Sequence, residues 1–435
     1  MKQNLQNPEA ELASLKSAEN FTTGQEPSAG SLDPDTFRAV RGSAVTILTG
    51  GIDRPYTFGL VMELASKGAA LEVIGSDGVN FPEFHTTPEV NFLNLQGSQR
   101  ADVSSIKKIT RLAKYYARLI RYAISAKPRI FHILWNNKLQ MFDRTVLTVF
   151  YRILGKQVIL TVHNVNAGKR DSNDSILNRL TLRIQYRLAH QIFVHSQKQK
   201  LELQEEFGVS ANRVTVIPFG INNAVPMTQL TQSEARLRLG VPADKKTILF
   251  FGRITPYKGL EFLTQAFQQL LAKGKDYQLI VGGRPENASQ KYWSSIQESI
   301  REDVQSGRIL LRAEHIPDEE TELFFKAADV LVLPYKQIYQ SGVLFLGYSF
   351  GLPILAADVG DLKEEIVEGT TGFSFKPEDP VELANAIEKY FASDLFANLK
   401  NRRQEISDYA KGQHSWNVVG QITMNVYTEL LRAKV

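Results

Sequence analysis

The chain has 435 residues, 43% hydrophobic and 22% charged, the balance of a globular protein with enough length for two cores of ordinary size. No apolar run approaches the roughly 20 residues that span a bilayer, there is no cysteine for disulfides or thiolate zinc, and Met1–Asn20 has no apolar export stretch, so a cytoplasmic setting is expected. The net charge of +5 is uneven: residues 41–222 hold 24 basic and 13 acidic side chains, whereas 223–435 hold 24 and 27, so the first half suits an anionic partner such as a lipid headgroup, a phosphorylated acceptor or nucleic acid.

Residues 1–40 are polar, broken by Gly, Ser and Pro, and without a sustained period, which predicts a disordered tail that carries no chemistry. From Ser43 apolar strand runs alternate with helical stretches: Ala44–Leu48, a helix from about Thr57 to Gly68, Leu71–Gly75, a helix from about Ser104 to Ser125, Ile130–Leu134 and Gln157–Val162. A connector punctuated by Pro218, Gly220 and Pro226 reads as a hinge. The same grammar then restarts with Thr247–Gly252, a helix from about Gly259 to Lys273, Gln278–Gly283, Arg308–Glu314, a short helix, Asp329–Tyr335, a helix from about Gly342 to Phe350, and Leu352–Ala357. The stretch from His414 is an amphipathic helix. The expected fold is α/β, with two doubly wound Rossmann-like domains at 41–222 and 223–410 and a C-terminal helix at 411–435 crossing back to the first.

In open parallel sheets ligands bind beyond the carboxyl ends of the strands. Phe251, Gly252 and Arg253 end one such strand, and Pro256 to Gly259 lead into a helix, so Arg253 and Lys258 stand near a helix N-terminus that already favours anions. Together they suit a diphosphate clamp; the alternative is a pair of solvated loop charges. Gln340, Ser341 and Gly342 precede a second apolar helix, where backbone amides at 342–344 would meet phosphate oxygens unless Ser341 is simply a helix cap. His163 ends the strand Gln157–Val162 with Asn164 beside it, where a neutral imidazole suits a hydrogen bond to a ligand hydroxyl, stabilisation of charge at a reacting centre, or a purely structural role, whereas His132, inside an apolar strand, reads as structural.

The order Gly252-Arg253, Lys258-Gly259, Ala328 to Pro334, the glycine at 342, Gly351 to Ile354, and Asp358 to Gly360 with Glu364 resembles the retaining glycosyltransferases of family four, of GT-B fold, over roughly residues 44–430. The resemblance implies that Arg253 and Lys258 hold the diphosphate of a nucleotide sugar, with amides of Val343 and Leu344 assisting. It implies that His315 and Ile316 meet the base through backbone groups, and that Gly50 and Gly51 form a flexible loop near donor and acceptor. His163 matches a histidine that lies near the transferred sugar. No cofactor is implied beyond the nucleoside-diphosphate sugar itself. The acceptor, a glycan, lipid-linked or small molecule, is unnamed.

The sequence departs from that pattern at two positions where many members carry glutamates eight residues apart, which here read Ile338 and Leu346. Gln340, in a Gln-Ser-Gly replacement, is the candidate partner for a sugar hydroxyl. The triplet Asp33-Pro34-Asp35 lies in the tail, and the cleft loops offer no clustered carboxylates, so no metal is expected and Arg and Lys would do its work. The two lost glutamates also motivate a competing reading, a catalytically silent nucleotide-sugar-binding protein. From Val103 to Phe142 there are nine Lys or Arg and no acid. Lys107, Arg111, Lys114, Arg118 and Arg121 form one helical stripe, and Ile106, Ile109, Ala113, Tyr116 and Ile120 lie on another face. Such a helix fits either an anionic membrane surface at the inner face of the cell membrane or ordinary packing on a sheet. Nucleic acid is not expected, since interleaved stacking aromatics and known binding motifs are missing.

Overall fold

A computed structural model describes residues 45–51, 53–99, 104–170, 173–221, 225–286 and 289–432. The expected tail at 1–40 and the middle of the connector, 222–224, lie outside the described residues. Seven strands form the first sheet: β1 (Val45–Leu48), β2 (Leu71–Gly75), β3 (Val90–Asn94), β4 (Ile130–Ile133), β5 (Gln157–Thr161), β6 (Gln191–Val194) and β7 (Val214–Val216), in the order 3-2-1-4-5-6-7. Six form the second: β8 (Lys246–Phe251), β9 (Tyr277–Gly282), β10 (Ile309–Arg312), β11 (Val330–Leu333), β12 (Ile354–Ala357) and β13 (Gly372–Phe375), in the order 10-9-8-11-12-13. Every pairing is parallel. The strand order reverses beside β1 in one sheet and beside β8 in the other, and these switch points are where α/β sheets hold ligands. Strands β3, β6, β7 and β13 escape the sequence reading; β3, β7 and β13 are edge strands whose short runs mix polar with apolar residues.

Helix α1 (Arg54–Ser66) begins three residues before its expected start because Asp53 caps it, its Oδ1 accepting from the Tyr56 amide at 3.1 Å, with Pro55 in the first turn. Helix α2 (Ser105–Ser125) carries the basic stripe, and its packing face differs from the expected one. Tyr115, Tyr116, Leu119 and Ala123 are buried, while Ile106 and Ile109 stand 77% and 69% exposed beside the lysines. The N-terminal half of this helix therefore leaves its isoleucines largely exposed. Helix α3 (Gln197–Phe207) follows β6 and α4 (Leu260–Ala272) follows the turn after β8, while α5 (Gly342–Ser349) lends Gly342, Val343 and Leu346 to the inter-lobe cleft.

The last helix, α6 (Trp416–Arg432), crosses back to the first lobe and joins its core through Trp416, Val419 and Tyr427. The Trp416 ring lies over Gly59 and Gly220, where a Cβ would come within 2.1 and 2.4 Å of it, and its Nε1 donates to the Ile221 carbonyl at 2.7 Å. His132 is structural, as expected: fully buried, it pairs with Tyr427 Oη at 2.6 Å and Thr161 Oγ1 at 2.8 Å, tying α6 to the sheet.

Candidate active site

Between the carboxyl edges of the two sheets lies a cleft of about 490 Å³ lined by both lobes. Strand β8 runs into Gly252, whose φ of 106° strongly favours glycine. A Cβ there would lie 2.7 Å from Lys258 Nζ, so the missing side chain makes the space in which the ammonium sits. Lys258 is 7% exposed and its Nζ lies 5.2 Å from the centre of the Tyr335 ring. It stands in a single 3-10 turn, Pro256–Lys258, and not in the helix proper, because Gly259 turns left-handed (φ 65°) before α4 starts. Arg253 occupies the mouth of the cleft, its side chain 65% exposed and 3.8 Å from Glu286 Oε1. One cation is walled in and the other is at the rim.

Facing Lys258 is the start of α5. The Ser341 hydroxyl makes no capping bond and pairs with Tyr335 Oη at 3.3 Å, which removes the simple-cap reading. The amides of Gly342 and Val343, first-turn donors without intrahelical acceptors, border the cleft. The Leu344 amide, expected to add a further donor, already bonds the Ser341 carbonyl at 3.0 Å, and its side chain is fully buried. Gln340 donates from Nε2 to Glu365 Oε1 at 3.1 Å, leaving its own Oε1 buried at the cleft wall and, among the described residues, unpartnered. A carboxylate only accepts, so that bond fixes which way the amide points.

Four expected residues sit differently. Glu364 is exposed and does not line the cleft, whereas its neighbour Glu365 turns inward to Gln340 and to His414 Nε2 at 3.1 Å. Ile316 lines the cleft, but the His315 side chain is exposed outside it. Gly50 and Gly51, at φ 62° and 71°, border an adjoining cavity, not the cleft itself. Ile338 and Leu346, the replacements for the two glutamates, both line the wall and make it apolar.

The first lobe contributes His163, two residues beyond β5. Trp135 stacks on its ring with centroids 4.1 Å apart and planes 4° from parallel, and Tyr56 meets it edge-on at 4.7 Å. His195, two residues before α3, was not singled out from the sequence, although it follows the apolar run Gln191–Val194 much as His163 follows its own strand. Its Nδ1 faces the Ile217 carbonyl at 3.4 Å, and its Nε2 faces His163 Nδ1 at 3.0 Å. The carbonyl can only accept, so His195 Nδ1 carries a proton, its Nε2 is bare, and His163 Nδ1 donates to it. What remains is His163 Nε2, a buried lone pair with no partner among the described residues, on a residue lining the cleft. Burial first, then His195 and His132, holds His163 well below the usual histidine range, and burial lowers His195 to about 4, so both rings are neutral. Sequence reading also missed Asp53, Tyr56, Trp135, Phe219 and Trp416, which complete the first-lobe wall.

Two Rossmann-like lobes enclosing a cleft with a buried lysine and open helix-start amides define a GT-B architecture. Residues 49–225 match the profile described as Glycosyltransferase Family 4, and residues 245–393 match Glycosyl transferases group 1. The chain belongs to the group 1, family-four glycosyltransferases. It is 27% identical over 243 residues to the D-inositol 3-phosphate glycosyltransferase of Corynebacterium diphtheriae, covering 54% of this chain and 56% of that one. The chain thus spans about half the length of the curated relatives it matches. Among solved structures it superposes on sucrose-phosphate synthase from Thermosynechococcus elongatus with a TM-score of 0.72 at 20% identity, over 90% of this chain and 100% of that one. It also superposes on Anabaena HepE in complex with UDP and glucose, with a TM-score of 0.70 at 18% identity, over 89% and 99%.

Proposed function

We propose that the chain transfers a sugar, of hexosyl type, from a nucleoside-diphosphate sugar to an acceptor held by the first lobe, residues 41–222, with retention of anomeric configuration and without a metal. The donor is held by the second lobe, 223–410. The observation that carries this reading is the Lys258 ammonium in its glycine-made recess, opposite the Gly342 and Val343 amides. Donors fixed in advance around a diphosphate offset the negative charge that grows on it as the glycosidic bond breaks, the largest single contribution in many transfer reactions. Arg253 adds a second cation from the rim. Backbone at 315–316 borders the nucleoside end, and the Gln340 and His163 lone pairs accept from sugar hydroxyls. The acceptor oxygen bonds the anomeric carbon as the bond to the diphosphate breaks, and the acceptor's hydroxyl proton passes to the leaving diphosphate. Closure of the lobes keeps water from taking the acceptor's place.

A panel of nucleotide sugars read by thermal shift tests the donor assignment, because a bound donor raises stability with its concentration over Kd. UDP is the first nucleotide to try, since the HepE structure holds it. Stabilisation followed by hydrolysis or transfer supports the reading; stabilisation with no turnover assigns a silent binding protein; no stabilisation by any member of the panel removes both.

The exposed Ile106 and Ile109 among basic residues support a second element of the proposal, peripheral attachment of α2 to an anionic membrane at its cytoplasmic face. Among the described residues no helix is long and apolar enough to cross a membrane. Each basic residue near an anionic surface adds about 1 kcal/mol of attraction. Co-sedimentation with anionic vesicles is expected to fall sharply when Arg111, Lys114 and Arg118 are changed to Ala; unchanged binding would remove the membrane role.

A further inference from the structure

The chain crosses between the lobes twice, once in the connector after β7 and once at His414, which lies between the helix Leu399–Gln413 and α6. The two crossings are bonded to each other: the Ile221 amide donates to the His414 carbonyl at 2.9 Å, and the Ile221 carbonyl accepts from Trp416 Nε1 at 2.7 Å. Rings fill the same place. The His414 ring lies 4.5 Å from that of Phe345 in α5, Phe345 stacks on Phe219 of the connector with centroids 5.0 Å apart and planes 10° from parallel, and Phe219 meets His195 at 4.9 Å. His414 is thus buried where the two crossings meet α5.

His414 Nε2 lies 3.1 Å from Glu365 Oε2, whereas its Nδ1 is buried and, among the described residues, unpartnered. The other oxygen of the same carboxylate, Oε1, accepts from Gln340 Nε2 at 3.1 Å. The backbone of Glu365 is pinned as well, its carbonyl accepting at 2.6 Å from Tyr348 Oη, on the helix whose first turn gives the Gly342 and Val343 amides. Among the described residues no lysine or arginine lies within ion-pair distance of this carboxylate, so His414 is the basic group that faces it.

A side-chain amide has an N–H end and an oxygen end of nearly the same shape, and its partners decide which end a ligand meets. Glu365 holds the N–H end of Gln340 only while its own carboxylate stays in place. The last torsion of a glutamate is broad and roughly two-fold, so a carboxylate released on the His414 side turns and lets the Gln340 amide turn with it. The cleft would then face an N–H group in place of the buried oxygen.

We infer that His414 is a positioning residue for the donor sugar: through Glu365 it keeps the oxygen of Gln340 toward the cleft. The inference rests on the transferase reading and deepens it, since Gln340 meets the sugar while the diphosphate lies on Lys258 and the α5 amides. Because His414 belongs to a crossing, the segment that turns when the lobes close also sets the acceptor offered to the sugar.

Titration calorimetry on the full chain tests this with UDP, GDP and ADP beside UDP-glucose, GDP-mannose and ADP-glucose; UDP-glucose comes first because a HepE structure holds it. His414→Phe keeps a ring on Phe345 and removes the nitrogen. It is expected to weaken the best-bound nucleotide sugar by about fivefold to tenfold, one buried hydrogen bond's worth, while the matching nucleoside diphosphate stays within about twofold. His414→Gln, whose amide reaches as far as Nε2, is expected to restore most of that loss. His414→Asn stops short of Glu365 and is expected to behave like the Phe variant, so it carries the test if His414→Phe does not fold. In a chain already carrying Gln340→Ala, His414→Phe is expected to add less than about twofold, because the amide it orients is gone. Equal loss of diphosphate and nucleotide sugar, full additivity with Gln340→Ala, or unchanged affinity in the Phe and Asn variants overturns the inference and leaves the transferase reading standing. A wild-type chain that binds none of the six ligands removes that reading, and the inference with it.

Discussion

His195 Nε2 lies 3.0 Å from His163 Nδ1, and the proton that joins them leaves His163 Nε2 bare toward the cleft. His195 is therefore a positioning residue: it sets the tautomer of a ring that Trp135 and Tyr56 hold in place. Replacing His195 with Phe is expected to lower kcat by about tenfold to a hundredfold with little change in the donor KM. Nitrogen NMR of His163 provides a readout apart from activity. In the wild type the proton resides on Nδ1; in the variant it is expected to be shared with Nε2, and an unchanged tautomer would contradict the role.

Gly252 and Lys258 make a second coupled pair. A methyl at Gly252 meets Lys258 Nζ at 2.7 Å and also requires a strained φ. Gly252→Ala is expected to weaken UDP binding by about tenfold, with a smaller change in melting temperature than in affinity. Lys258→Arg does not restore the wild type, because the recess fits a compact ammonium and not a planar fork.

Gln340 offers its Oε1 to the cleft because its Nε2 is occupied by Glu365. Gln340→Ala is expected to reduce donor turnover about tenfold, one hydrogen bond's worth in a buried site. Gln340→Glu sets two carboxylates against each other, so its activity is expected to improve as pH falls and one of them gains a proton. Turnover unchanged in Gln340→Ala removes the residue from the mechanism.

Burial lowers His132 to about 3 from the ordinary 6.5, so below pH 6.5 the unfolded chain takes up a proton that the folded chain refuses. Stability contributed by this group is present above 6.5 and lost as pH falls toward 3, at about 1.4 kcal/mol per pH unit. Other buried groups titrate in the same range, Asp143 and Asp361 being raised to about 6 by burial and acting in the opposite direction, so the contribution is best read as a difference. His132→Gln is expected to be less stable than the wild type at pH 7, with the gap narrowing at pH 5. Urea midpoints at the two pH values check this, and a gap that does not change with pH contradicts it.

The two-sheet layout was legible because the buried parallel strands are continuous apolar runs, as at Thr247–Phe251 and Val330–Leu333. Lys258, Gly252 and Gln340 could be placed from local text, since a strand end followed by a helix start puts them at one edge. His195 could not, because its part depends on the Ile217 carbonyl 22 residues away and on His163 32 residues away. The packing face of α2 differs from the expected one for a related reason: periodicity gives the faces of a helix, but only tertiary packing decides that Tyr115, Tyr116, Leu119 and Ala123 are covered and Ile106 and Ile109 are not. That Glu365 and not Glu364 turns inward likewise depends on Gln340 and His414, which no local spacing connects.

The central claim is that Lys258 supplies the main fixed charge at the donor diphosphate. Lys258→Ala, assayed for transfer or donor hydrolysis with whichever nucleotide sugar stabilises the wild type, measures it directly. The expected result is a loss of kcat of about a hundredfold to a thousandfold, larger than for any single substitution in the first lobe. Near wild-type turnover in a folded Lys258→Ala protein would contradict the account.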